Sequence, residues 1–419
     1  MIILATILSG LSLLMSVLLL IYAKSSLGWI VWMPKLIAGA LSPVWAILGA
    51  AGAVLGWGYG ALWAVPMGIF GAGMMSWYVW RCTRDHDGFD NAFGAGWSDQ
   101  IAPHQIKQMV QKCWPVFLKM KASPEPSWER DVSFSTIPGT DRQLLCDLWR
   151  PAGGNTTGLA YIYLHGSAWA IGDKDMYTRL FFQHLVAQGH TVMDVSYRLC
   201  PEVDIYGMIG DVKRAVAWMK ANASRYGVNP EKVVLGGGSA GGHLALLAGY
   251  APQHPELTPE DLTSADLSVC GVISHYGPTD LLFLFEYMKL QKLEGEPPVP
   301  LGTVIAPSKR MRYAARFDIL LGGWPQDAPH MYQLASPISH VHPGCPSTLL
   351  MQGAQDHVTS QDATCALYTK LLESGVPTIN VIFPWTPHGF DLLIPQINPA
   401  AQSALYDVDR FLALLANKD

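Results

Sequence analysis

The sequence has 419 residues, half of them hydrophobic and only 15% charged, with a formal net charge of −5. An ordinary soluble domain carries about 25% charged residues, so the chain is not a simple soluble globule, and its acidic balance and lack of a Lys/Arg-rich block argue against a nucleic-acid partner. Its seven cysteines form no Cys-x-x-Cys pair, which argues against a disulfide framework or zinc site and for free thiols in a reducing compartment.

Nearly all the excess apolar character lies in the first 80 residues. Ile2–Ala23 carries no charge and is followed by Lys24, and Leu36–Trp80 carries none either. As a single helix the second stretch would be about 67 Å long, against a hydrocarbon core of about 30 Å. It has to turn back, and Gly56-Trp57-Gly58-Tyr59-Gly60 supplies the turn. The expectation is a three-helix transmembrane anchor over residues 1–81, with spans near 2–23, 36–56 and 61–80. The alternative is a single anchor with a buried hairpin packed on the rest of the chain. A cleaved signal peptide fits the first span poorly, because no basic leader precedes it and further spans follow. Lys24, Lys35, Arg81 and Arg84 then fall on one side, which places the N-terminus outside and the remainder in the cytoplasm. Trp29, Trp32, Trp57, Tyr59, Trp77, Tyr78 and Trp80 stand where an interfacial aromatic belt belongs. No charge lies inside the spans, so they read as an anchor for an integral membrane protein rather than a transport path.

Residues 82–130 form a linker. Ile106, Met109, Val110, Cys113, Trp114, Phe117 and Leu118 recur at helical spacing among four lysines. That predicts an amphipathic helix over Gln105–Lys121, kinked at Pro115, which covers the core, caps a site or rests on the inner leaflet. Asp85-His86-Asp87 reads as solvated polar residues rather than metal ligands.

From residue 131 to 419 short apolar strands alternate with helices. Strands are expected at Val132–Ile137, Gln143–Trp149, Leu159–Leu164, Thr191–Tyr197, Lys232–Gly236, Leu267–Ser274, Ser347–Met351 and Thr378–Phe383. Helices are expected at Asp211–Arg225, from Ser239 onward and near Ala400–Ala416. This is an α/β pattern: a mostly parallel sheet with helices on both faces. Residues 281–335, with Pro297-Pro298-Val299-Pro300 and Pro307, break the alternation and read as an inserted lid.

The strand Val233-Val234-Leu235 runs into Gly236-Gly237-Gly238-Ser239-Ala240-Gly241-Gly242, a G-x-S-x-G turn between strand and helix. Gly237 and Gly241 let the chain pass tightly enough to project Ser239, and the helix N-terminus favours negative charge there. Such turns also bind phosphate, but the lysine of a phosphate loop is missing. Earlier, the strand Tyr161-Ile162-Tyr163-Leu164 leads into His165-Gly166-Ser167-Ala168-Trp169, a loop of small residues suited to presenting backbone N–H donors.

Together with Tyr197-Arg198-Leu199-Cys200-Pro201-Glu202, these motifs make residues 130–415 resemble the hormone-sensitive-lipase-like branch of the α/β-hydrolases, related to the kynurenine formamidase-like esterases. The resemblance implies an α/β-hydrolase fold and oxyanion donors at the N–H groups of Ser167, Ala168 and Ala240. His165 shapes that loop without transferring protons. Ser167 stands where the family has a second glycine, which leaves its N–H in place and adds a side chain near the acyl pocket. The triad order Ser, acid, His is met by Asp356 in Gln352-Gly353-Ala354-Gln355-Asp356-His357-Val358, which resembles the family's G-x-x-D-x-V turn, and by His388 in His388-Gly389-Phe390. Ser239 is then the nucleophile, His388 its base and Asp356 the orienting acid; Asp362 and Asp391 are weaker substitutes, and His243 and His357 read as structural.

The function implied is a membrane-anchored serine hydrolase cleaving carboxylic esters through an acyl-enzyme. Its expected partners are a lipophilic small-molecule or lipid ester and membrane lipid; no cofactor or metal is expected. An arylformamidase-type amidase would use the same groups. A non-catalytic binding protein on this scaffold typically lacks the histidine, and here Ser239, Asp356 and His388 are all present.

Overall fold

The computed structural model describes residues 1–22, 26–120, 126–152, 156–290 and 316–418. Lys24, Lys121, the side chain of Trp29 and the Pro297–Pro300 and Pro307 region of the expected lid lie outside the described residues.

The chain opens with four helices: α1 (Ile2–Leu20), α2 (Ser26–Ala40), α3 (Ser42–Gly58) and α4 (Ala64–Thr83). The stretch 36–56, expected as one span, is not one continuous helix. It breaks at Leu41, where α2 and α3 meet at 74°, because Pro43 sits in the first turn of α3 and opens a new helix there. By length and composition, α1 is the one described helix able to cross a membrane on its own, and α2 with α3 qualifies only as a bent pair. An apolar helix in that position suits a membrane anchor and a signal sequence equally.

α1, α3 and α4 pack through small residues. Ser9, Ser12 and Ser16 are buried, and a Cβ on Gly49 would lie 2.5 Å from Ser12 Oγ, one on Gly52 2.4 Å from Ser9 Oγ, and one on Gly68 2.3 Å from the Gly49 carbonyl. Ser12 Oγ donates to the Trp45 carbonyl at 2.8 Å. The large side chains face outward: Ile47 is 64% exposed, Val54 72% and Ile69 61%.

Two short helices follow, α5 (Gly88–Phe93) and α6 (Pro103–Ile106). The amphipathic helix expected over Gln105–Lys121 does not form beyond Ile106. Pro115 has no N–H to give, and neighbouring groups find tertiary partners instead of helical ones. Val110 N donates to Asp409 at 2.8 Å, Leu118 N to the Gln396 carbonyl at 2.7 Å, and Trp114 Nε1 to the Ile397 carbonyl at 3.0 Å. Met109, Val110 and Leu118 are buried, whereas Val116 and Phe117 are exposed.

The rest of the chain runs β1 (Ser127–Thr136), β2 (Gln143–Arg150), β3 (Ala160–Leu164), α7 (Arg179–Ala187), β4 (Thr191–Ser196), α8 (Ile205–Ala221), β5 (Val233–Gly238), α9 (Ala240–Tyr250) and β6 (Gly271–His275). Then come α10 (Leu281–Leu290), α11 (Phe317–Leu320), α12 (Pro329–Leu334), β7 (Ser347–Gly353), α13 (Gln361–Glu373), β8 (Thr378–Phe383) and α14 (Pro399–Asn417). The sheet order is β1-β2-β4-β3-β5-β6-β7-β8, antiparallel at β1/β2/β4 and parallel from β4 through β8. Alternate strand residues serve opposite cores. Ile162 and Leu235 point to the side of α8 and α9, Tyr161 and Val234 to the side of α7 and α14. That second core also contains Leu19, Ala38, Met75, Tyr78 and Cys82 of the N-terminal helices, so bundle and sheet share one apolar interior.

Candidate active site

Ser239 sits between the end of β5 and the first turn of α9 with φ 53°. Few residues other than glycine adopt that conformation, and the surroundings enforce it. A Cβ on Gly237 would lie 2.2 Å from the Leu164 carbonyl oxygen and one on Gly241 1.9 Å from it. Only glycine lets the turn close against β3, and the closed turn pushes the Ser239 side chain out at the carboxyl edge of the sheet.

His388, in the loop after β8, places Nε2 3.0 Å from Ser239 Oγ, and its Nδ1 donates to Asp356 Oδ2 at 2.7 Å. Asp356 follows β7 and is buried. Its carboxylate also accepts from Val358 N at 2.7 Å, Thr359 N at 2.8 Å, Thr359 Oγ1 at 2.9 Å and Gln352 Nε2 at 3.0 Å. Burial works against the charge, but His388, His357 and the Thr359 N–H outweigh it and hold the carboxyl below its usual range. Asp356 therefore stays an acceptor and fixes His388 with its proton on Nδ1 and Nε2 free to accept.

The other named carboxylates are engaged elsewhere. Asp391 accepts from the Tyr276 hydroxyl, and Asp362 lies in the first turn of α13 behind the Ser360 cap. His86 faces Asp407 at 3.2 Å, which ties the linker to α14.

The loop after β3 comes alongside. Gly166 packs so closely that a Cβ there would lie 3.0 Å from the Gly238 carbonyl and 3.4 Å from Ser239 Cβ. Ser167, Ala168 and Trp169 all have positive φ, at 86°, 53° and 58°. Among the described residues, neither the Ser167 nor the Ala168 N–H donates to a backbone oxygen outside the regular elements, and Ala240 N–H is in the open first turn of α9. Side chains hold the loop in this unusual course. Trp169 Nε1 donates to His243 Nδ1 at 3.3 Å, and His243 Nε2 donates to the Ala335 carbonyl at 2.8 Å. His165 stacks on Tyr197 at 4.4 Å, and the Tyr197 hydroxyl donates to the His165 carbonyl at 2.8 Å. Next to it Arg198 grips Asp211 of α8 through two donors, at 2.8 and 2.6 Å. Burial pushes His165 below its ordinary value, and His243 and His357 down to about 4; these three are neutral at pH 7.

Sequence reasoning missed Tyr276, Gln352, Thr359 and Trp32. Tyr276 directly follows β6, at the strand ends where α/β sheets collect their ligand groups, and that position was the available signal. Thr359 three residues after Asp356 fits a local turn in which the carboxylate caps the following N–H groups. Trp32 was read as part of an interfacial aromatic belt, and nothing in the sequence signalled its bond to the His388 carbonyl, a contact that spans most of the chain.

The profile of the BD-FAE family matches residues 146–371, more than half of the chain. LipM, a probable carboxylic ester hydrolase of Mycobacterium tuberculosis, is 30% identical over 272 residues, covering 64% of this chain and 57% of LipM. Esterase LipQ of the same organism is 28% identical over 333 residues, covering 78% of this chain and 73% of LipQ. This chain thus spans between about half and three quarters of the length of these relatives. The native Est2 esterase of Thermogutta terrifontis superposes with a TM-score of 0.53 at 21% identity, covering 74% of this chain and 96% of that one, a likeness of fold. The chain therefore belongs to the BD-FAE family and has the α/β-hydrolase fold of the hormone-sensitive-lipase-like branch.

Proposed function

We propose that the protein is a serine carboxylic ester hydrolase, held at a membrane by its N-terminal helices with its catalytic part in the cytoplasm, and acting on lipophilic esters. The observation that carries the reading is the hydrogen-bonded line Asp356–His388–Ser239, at 2.7 and 3.0 Å, on a glycine-enforced turn. His388 Nε2 takes the Ser239 proton as Oγ attacks the ester carbonyl, and the oxyanion meets the N–H groups of Ser167, Ala168 and Ala240. His388 then passes the proton to the departing alcohol, leaving an acyl group on Ser239. Water, deprotonated by the same imidazole, releases the acid. The names of LipM and LipQ support the ester class.

The membrane part of the reading is supported by the arrangement of the bundle. A bundle built for water hides its large apolar side chains. Here serines and glycines fill the seam while Ile47, Val54, Trp57 and Ile69 face outward, the arrangement favoured where lipid surrounds the helices. A lipophilic substrate follows from that location and from the exposed Leu282 and Phe283 on α10, the helix whose Tyr287 bonds the Asp356 carbonyl.

The test is fluorophosphonate labelling of the detergent-solubilised protein, with the adduct mapped and turnover followed on matched aryl esters and aryl formamides. An adduct on Ser239 that is lost in His388→Ala, with faster ester turnover, is the expected result. Faster formamide turnover would move the reading to an amidase. Neither adduct nor turnover in folded protein would leave a binding protein.

A further inference from the structure

The backbone carbonyl of His388 is held directly from the N-terminal helices, and that of Asp356 by Tyr287 of α10, which in turn meets the segment after α1. Trp32 of α2 donates its indole N–H to the His388 carbonyl at 2.7 Å, and its ring lies 5.8 Å from that of His357. The Tyr287 hydroxyl donates to the Asp356 carbonyl at 2.7 Å and meets the Tyr22 hydroxyl, just after α1, at 3.1 Å. One turn on from Trp32, the buried Lys35 donates to the Ile21 carbonyl at 2.5 Å and to the Gln355 side chain, next to Asp356. From α4, Tyr78 bonds Thr386 at 3.1 Å, and Trp77 packs on Trp385 with centroids 4.5 Å apart. Thus the loop 385–389, which carries His388, is gripped from α2 and α4, and the loop carrying Asp356 from α2 directly and from the end of α1 through Tyr287.

Nothing in tethering requires this. An anchor can be joined by a linker, and residues 84–126 supply a long one. A buried lysine is costly unless it is paired, and both its oxygen partners lie at the junction between bundle and active site. His388 meanwhile sits in a loop, the kind of segment that opens at low free-energy cost, while proton transfer from Ser239 requires it within hydrogen-bond reach.

We propose that α2 is a positioning element of the active site, in which Trp32 fixes the His388 loop and Lys35 the Asp356 loop, so that docking of the N-terminal bundle sets the turnover rate. The proposal rests on the serine-hydrolase reading above. It makes the helices part of the catalytic scaffold and turnover responsive to whatever loosens the bundle.

The test is Trp32→Phe in the full-length protein, which keeps an aromatic ring and removes the N–H. The expected result is a fall of about tenfold in kcat on an aryl ester with KM within threefold of wild type. Fluorophosphonate labelling of Ser239 should slow in proportion while the melting temperature is unchanged. Lys35→Met, the second variant should Trp32→Phe not fold, is expected to lower kcat at least threefold, also without a rise in KM. Turnover within twofold of wild type in a folded variant would overturn the proposal. A raised KM at unchanged kcat would also overturn it, by placing Trp32 against substrate instead. Failure of the underlying hydrolase reading is separate, because wild type itself would then give no Ser239 adduct.

Discussion

The ring of Tyr276 lies against the imidazole of His388, centroids 4.4 Å apart, and its hydroxyl donates to the Asp391 carboxylate. The two nearby acids therefore have different tasks: Asp356 orients the imidazole, and Asp391 holds the tyrosine that walls it. Asp356→Asn is expected to lower kcat by roughly 10³–10⁴ through the wrong tautomer of His388. Asp391→Asn should stay within about tenfold of wild type. Steady-state hydrolysis of an aryl ester by both variants decides it, and an equally deep loss in Asp391→Asn would reassign the acid.

Ser239→Ala and His388→Ala should each remove nearly all turnover, and the double variant should lose little more, because such groups act as a unit. Melting curves should stay near wild type, since neither change opens a large cavity. Full activity in either folded variant would end the proposed mechanism.

The turn at Ser239 tolerates no side chain at position 241, where a Cβ would lie 1.9 Å from the Leu164 carbonyl oxygen. Gly241→Ala is expected to destabilise the protein by roughly 4 kcal/mol or more, the range of severe backbone clashes. Gly58→Ala, with nothing within 4 Å of its Cβ, should melt like wild type. Thermal denaturation of the pair in one detergent checks the contrast.

Burial drives His243 down to about 4, while in the unfolded chain a histidine titrates near 6.5. Between those values the unfolded state binds the extra proton, so stability falls on acidification by about 1.4 kcal/mol per pH unit for such a group. His243→Gln should flatten this slope between pH 6.5 and 4.5, read from denaturation midpoints. Asp356 acts in a lower window. Its folded value lies below the ordinary carboxylate range, so its contribution is present above about pH 4 and is lost as pH falls through the folded value.

Membrane orientation is open to direct chemistry. In a Cys365→Ser background, which removes the exposed thiol, Gly58→Cys should react with an impermeant maleimide from outside the cell and Ser98→Cys only after permeabilisation. Labelling of both from one side would refute the proposed orientation.

The sheet and the tight turn at Ser239 were legible in the sequence because their causes are local. Val233-Val234-Leu235 is a buried strand by composition, and the small residues around Ser239 state the steric demand of the turn directly. His388 and Asp356 were legible through short motifs at strand ends. The break at Leu41 was signalled by Ser42-Pro43 but hidden by unbroken hydropathy. The failed helix after Ile106 was not legible, because Asp409, Gln396 and Ile397, nearly 300 residues away, supply the partners that compete for its polar groups. The same holds for Trp32 and His388: a contact across so much chain leaves no periodicity and no spacing to read.

The apolar interior that runs from Leu19, Ala38 and Met75 through Val381 and Phe383 to Phe411 has no internal boundary. In the membrane setting proposed above, extraction and unfolding are coupled: a solvent that swells the helix seam wets the sheet as well. Detergents should sort by whether they leave the seam closed, and a preparation that has lost activity will have lost part of its fold, not merely its access to substrate.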